Sequence, residues 1–380
     1  MDTDTATIEM LDTDGQQSLA LNTDGDLQVL GGVGDTASAL VTSAGLDAGA
    51  GNEAQRIVID AGQLLVDAGN GTNNNATAQI VQNNGGTASQ YIEVNGSGGT
   101  DGTVSVLGGD GANETALIDS NGTEVQTLSI ARGLTVTGGD GLNSSAGISA
   151  DGTGVDQTVT VTTGNAELTG GAGDNAHAFI DQTDAVGTQD ININAADAAS
   201  NLALLGGTGI NADARISAQG TLQTVTLLNG ALTVQADQTA AGTANADAYI
   251  LADNTAAGQD IDVTDGGIVV EGGVGDTETA YISLAGADGT GSQTINLNGM
   301  GDFDVLGGTG LNATASVISD GLVQTITLDN GALNVQGDQT GGGNNGGNAL
   351  VSLAANASGA AVQTLDVTNG GITGSGWPGY

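Results

Sequence analysis

A short pattern, Gln-x-apolar-x-apolar, returns from one end of this 380-residue chain to the other. It starts at Gln17, Gln55, Gln90, Gln126, Gln157, Gln189, Gln223, Gln259, Gln293, Gln324 and Gln363. The interval is roughly 35 residues, the scale of arrays in which each unit packs only on its neighbours. That repeat overrides the division into two or three globular domains that length alone would suggest.

Each unit holds three short alternating segments. Gln157 to Val161 (QTVTV) is an example of the first, Leu232 to Val234 (LTV) of the second and Asn211 to Ile216 (NADARI) of the third. Alternation at period two puts Leu, Ile, Val and Ala on one side and Thr, Asn, Asp and Ser on the other, as strands do. Gly, Asn and Asp between the segments tolerate the positive φ that tight corners need. The expected fold is all-β: a single elongated β-solenoid, or parallel β-helix, of about eleven coils with three strands each, spanning residues 1–372. Coils stacked at about 4.8 Å make a rod about 50 Å long. The Gln column is expected to be inward and to bond to itself along the axis, which works only if the coils are in register. Asn75, Asn113, Asn143, Asn175, Asn211, Asn245, Asn312 and Asn348 are expected to lead the third segments, with Thr36 and Thr277 in their place in two coils.

Composition supports packing by small residues. Hydrophobic residues make up 38% and aromatic residues 2%, so the core must be aliphatic and thin. The net charge is -41, with no Lys and only Arg56, Arg132 and Arg215 to offset it. No basic patch exists to neutralise phosphates, so neither nucleic acid nor an anionic membrane is an expected partner. Cysteine is absent, which removes disulfides and thiolate sites. No apolar run is long enough to insert in a bilayer, and no secretory leader is visible at Met1.

Catalysis has little to draw on. His177 is the one histidine, and its outward phase beside Ala176 and Ala178 makes it a surface ladder residue rather than a base. The chain is expected not to be an enzyme and to require no cofactor. Glycine corners followed by acids offer a metal alternative at Asp35, Asp110, Asp140, Asp174 and Asp276. They resemble the calcium-binding nonapeptide of RTX repeat proteins, which implies Ca2+ or another divalent cation. They depart from it in occurring once per coil, with Asn or Thr in place of the motif's later Asp. Thr158/Thr160, Thr224/Thr226 and Thr325/Thr327 offer an outward Thr array, as in ice-binding solenoids, interrupted at Asp190/Asn192 and Asp260/Asp262. Phe179, Tyr249, Tyr281, Leu40 and Leu117 lie outward on the third segments, where lateral bundling of rods is an open alternative to scattered surface residues.

The termini carry complementary partial coils. The segment containing Asp2, Thr3, Thr5, Ala6 and Ile8 matches the third segment of the internal coil at 276–282. The segment containing Gln363, Leu365, Val367 and Ile372 matches the first two segments of that same coil at 259–268. Neither end has the atypical repeat that caps a soluble solenoid. The expectation is head-to-tail stacking, a heterologous contact that propagates as a filament. Residues 373–380 hold the sole Trp and Pro, and Trp377 and Tyr380 are read as an aromatic clasp on the next subunit, against the alternative of a frayed tail. The repeat style and Gly/Asn/Thr composition resemble bacterial surface β-solenoids of the filamentous haemagglutinin-like adhesin family. That resemblance implies an extracellular or cell-surface location with adhesion or matrix roles, and makes an adhesin segment the main rival to a filament subunit.

Overall fold

The computed structural model describes residues 5–10, 15–22, 25–32, 36–45, 53–69, 75–84, 86–96, 101–194, 199–239, 245–253, 258–286, 290–337, 347–353 and 361–375. Among them the chain forms 33 strands and no helix. Numbered in chain order, the strands run from β1 (Thr5–Met10), β2 (Gln17–Leu21) and β3 (Leu27–Leu30) to β31 (Ala349–Leu353), β32 (Val362–Val367) and β33 (Ile372–Ser375). Each strand pairs in parallel with the third strand before and after it, giving three eleven-stranded sheets. The chain therefore winds as an elongated β-solenoid of eleven rungs, as the repeat predicts.

We name the sheets by their inward residues. The Gln sheet holds β2 through β32, and every one of its rungs sets Gln against Gln. The Leu sheet holds β3 through β33. The Ala sheet holds β1 through β31 and aligns one Ala per rung, from Ala6 through Ala39, Ala78, Ala116, Ala146, Ala178, Ala214, Ala248, Ala280 and Ala315 to Ala349. Small Ala suits this line because the strand has just left a tight corner. Asn75, Asn113, Asn143, Asn175, Asn211, Asn245 and Asn312 have φ between 46° and 72°, and Thr277 has 67°. The left-handed region costs a branched residue most and Asn little. It also delays the strand: Ala214–Ala218 is the strand where the sequence suggested 211–216. Asn348 is a correction, for it directly precedes Ala349, whereas the left-handed Asn312 stands three places before Ala315.

The inward residues of all three sheets meet in one continuous cluster from Val29 to Leu333. Ile, Val and Leu dominate, each contributing about 1.5–3 kcal/mol on burial. Phe303 is the largest fully buried side chain among the described residues, stacked in the Leu sheet between Ile268 and Leu333.

Candidate functional site

The most ordered polar feature is the Gln column. Gln55 donates from Nε2 to Gln17 Oε1 at 2.8 Å, Gln90 to Gln55 at 2.7 Å and Gln126 to Gln90 at 2.9 Å. The chain of bonds continues through Gln157, Gln189, Gln223, Gln259, Gln293 and Gln324 to Gln363 without a break. In every link the later rung donates and the earlier rung accepts. The second Nε2 hydrogen goes across the core to an Ala-sheet carbonyl, such as Ser149 O from Gln126 at 2.7 Å and Ser217 O from Gln189 at 3.0 Å. From Gln55 to Gln293 each buried amide nitrogen is thus paired twice, removing a desolvation cost of roughly 1–3 kcal/mol per unpaired group.

The glycine corners lie between the Leu and Ala sheets. Their left-handed Asn side chains form an exposed ladder: Asn113 donates to Asn75, Asn143 to Asn113, Asn175 to Asn143 and Asn211 to Asn175. The metal candidates do not converge there. Asp110 and Asp140 each stand three places before a left-handed Asn, whereas Asp174 and Asp276 stand one place before the left-handed residue. Asp174 and Asp276 spend a carboxylate oxygen on the next rung, accepting from Ile210 N at 3.1 Å and Leu311 N at 3.2 Å. No group of three or more His, Cys, Asp or Glu positioned for a metal ion occurs among the described residues. Asp35 lies outside them.

Two acids that the sequence reading did not single out are buried in these corners. Glu114 Oε2 accepts from Gly111 N at 2.8 Å, and Glu278 Oε2 from Gly275 N at 2.7 Å. The second oxygen of each, Oε1, is buried without a hydrogen-bond partner. Burial pushes the Glu278 carboxyl up to about 7, against the opposing pull of the Gly275 amide and with added repulsion from Asp237, Asp247 and Asp276. Burial raises Glu114 too. Gly109 and Gly273 make room, since a β-carbon at either would collide with the carboxyl below it. Among the described residues they are the only two Glu directly after a left-handed position, a feature that shows only once the backbone is known.

The outer face of the Ala sheet gathers the candidates Phe179, Tyr249 and Tyr281 into one axial line, with Arg215 between Phe179 and Tyr249. The Arg215 guanidinium lies 4.9 Å from the Phe179 ring centre, and Tyr249 and Tyr281 stack at 4.7 Å. The Phe179 ring rests over Gly147, where any β-carbon would clash. Arg215 also forms a forked bond to Asp181, from Nη2 at 2.7 Å and from Nε at 3.1 Å. His177 sits beside this line, 3.5 Å from an Asp213 carboxylate oxygen, and its Nδ1 accepts from Asp213 N at 3.3 Å. Arg215 covers one face of Phe179 and Tyr249 covers one face of Tyr281, so the line braces the sheet.

The end faces are the remaining candidates. Ile8 in β1 is 50% exposed, although its ladder neighbour Val41 is 3% exposed. At the other end Ile372 is 56% exposed against 1% for its neighbour Leu333, and Leu365 is exposed while Ile326 beside it is fully buried. Gln363 and Val367 lie on the same face, and Thr5 and Ala6 in β1 are likewise exposed. Those of the expected junction residues that are described lie on the first and last described rungs, where Ile8, Leu365 and Ile372 are more exposed than their ladder neighbours. Asp2, Thr3, Trp377 and Tyr380 lie outside the described residues. No family model, curated protein or solved structure matches the chain.

Proposed function

We propose that the chain is a structural subunit that stacks head to tail into an acidic, extracellular β-solenoid filament, with other copies of itself as partner. The observation that carries this reading is the pair of open faces, which present core-type residues at both ends of the described rod. Unpaired strand edges and exposed core residues are what an array normally hides. The phases agree: β32 and β33 supply Gln-sheet and Leu-sheet strands, and β1 of a second copy supplies the Ala-sheet strand that comes next. The amide column agrees as well. Gln17 Nε2 bonds Thr42 O at 3.0 Å and reaches Ile8 O at 3.4 Å, with no Gln of an earlier rung to donate to among the described residues, and Gln363 Oε1 at the other end is the acceptor of matching polarity.

Negative-stain microscopy of the purified chain tests this directly. Long unbranched fibres are expected from the native sequence, and single rods about 50 Å long from Ile8→Asp and Ile372→Asp, because a carboxylate in a closed core is not tolerated. Single rods from the native sequence at every concentration would refute self-assembly and leave the adhesin segment as the better account.

A further inference from the structure

Four of the left-handed corner asparagines open the triplet Asn-x-Thr or Asn-x-Ser with no Pro between: Asn75-Ala76-Thr77, Asn113-Glu114-Thr115, Asn143-Ser144-Ser145 and Asn312-Ala313-Thr314. Their φ values are 72°, 59°, 58° and 59°, and all four are exposed. The middle residue is buried in each triplet, and the hydroxyl residue is half-buried where the Ala-sheet strand begins. This triplet is the acceptor sequence for N-linked oligosaccharide.

The fold accounts for the asparagine but not for the hydroxyl. Two places after the left-handed residue, a side chain accepts from an amide of the next rung. His177 N donates to Ser145 Oγ at 3.3 Å, Asp213 N to His177 Nδ1 at 3.3 Å, Asp247 N to Asp213 Oδ1 at 3.1 Å and Thr279 N to Asp247 Oδ1 at 2.7 Å. Hydroxyl, imidazole and carboxylate all serve, so rung packing does not demand Thr or Ser there. Asn175 and Asn211 belong to the same ladder with His177 and Asp213 in that place, and so lack the triplet.

The ladder also spares the atom that would react. An asparagine amide carries two Nδ2 hydrogens. Asn113 and Asn143 each give one to Oδ1 of the preceding rung, at 3.3 Å and 2.9 Å. A sugar in place of the other hydrogen leaves that bond and the Oδ1 acceptor intact. Asn121-Gly122-Thr123 carries the same triplet away from the ladder, but Asn121 is half-buried, its Nδ2 bonds Asp119 Oδ2 at 3.0 Å and Thr123 Oγ1 bonds Gly86 O at 3.0 Å.

We propose that Asn75, Asn113, Asn143 and Asn312 are N-glycosylation sites whose donor is an oligosaccharide carried on a lipid diphosphate. Nδ2 attacks C1 of the first sugar, the C1–O bond to the diphosphate breaks, the lipid diphosphate leaves with the electron pair, and the displaced amide proton passes to a base of the transferase. Sugars on rungs about 4.8 Å apart would sheath one edge of the rod, and leave the outer faces of the Gln and Leu sheets bare. The proposal draws on the extracellular location given above and is independent of head-to-tail stacking.

The test incubates the folded chain with a purified single-subunit oligosaccharyltransferase and a lipid-diphosphate oligosaccharide, beside a free peptide of residues 141–147 that reports the enzyme's activity, and maps the products by mass spectrometry. Whole oligosaccharides are expected at the ladder triplets and none at Asn175 or Asn211. Asn121 should react at least about tenfold less, because its amide must first give up the bond to Asp119. Ser145→Ala should abolish addition at Asn143 and Ser145→Thr should restore it, with the other three sites unchanged as the sign that the rod is folded. A modified peptide beside an unmodified chain would overturn the proposal, as would addition at Asn121 equal to that on the ladder. Either result leaves filament formation to be read separately by microscopy.

Discussion

Glu278 and Gly273 form a unit in which neither residue makes sense alone. The acid fits beneath the corner only because the residue above it lacks a β-carbon, and it accepts from the Gly275 amide. Gly273→Ala is expected to destabilise the rod by about 1–3 kcal/mol through overpacking against Glu278 and the Asp237 carbonyl, measured by denaturant unfolding. Glu278→Gln tests the protonation state. The folded carboxyl titrates near 7, above its ordinary value of 4.5, so its stabilisation is full below about 4.5 and lost as pH rises through 7. The Gln variant should melt above the parent at pH 8 and match it near pH 4.5; equal melting at both would show that the carboxyl is not held neutral. The Gln positions were legible because the same role recurs in every rung. Glu114 and Glu278 were not, because the position after the left-handed residue holds Ala or Ser in the other rungs, as at Ser144, Ala176, Ala212 and Ala313, so no repeat announces an acid there.

Strands and their pairing were readable for a related reason: inward Ala, Gln and Leu lines repeat with little variation, whereas outward neighbours vary from rung to rung. Arg215 and Asp181 sit in adjacent strands, 34 positions apart, and no local pattern announces their forked bond. The Gln column is where an element-level test has most leverage. Gln189→Leu keeps an apolar group of similar length but leaves Gln223 without its acceptor and Gln157 Oε1 without its donor, and frees the carbonyl of Ser217. A loss of about 2–4 kcal/mol is expected from several buried groups unpaired at once. Hydrogen exchange should speed up first in Thr188–Ile193 and Leu222–Leu227, the strands that carry the broken links. Uniform exchange along the rod would mean that the ladder carries no local stability. Asp190→Thr, outward on the same strand, is the matched control and should change stability by no more than about 0.5 kcal/mol.

At the scale of the whole rod, charge sets the conditions. A net charge of -41 repels itself along the full length. Three buried carboxyls act in the same direction as that repulsion: burial pushes Asp119 and Glu278 up to about 7 and Asp247 up to about 6. Each contributes stability that is complete below its unfolded value and disappears as pH climbs through 6 to 7. The melting temperature should therefore rise as pH falls from 8 to 5, and added NaCl should raise it more at pH 8 than at pH 5 because only the repulsion is screened. A melting temperature flat across that range would refute this balance.

The one-way Gln bonds have an electrical consequence. Backbone amides in parallel strands alternate up and down the axis and nearly cancel, but ten side-chain amide links from Gln17 to Gln363 all point in the same sense. Their moments add, so each rod is a small permanent magnet's electrical counterpart, with a distinguishable front and back. Copies joined in series would lengthen that vector in proportion to their number. A fibre of this chain should then turn to face an applied field in one direction only, and reverse when the field reverses.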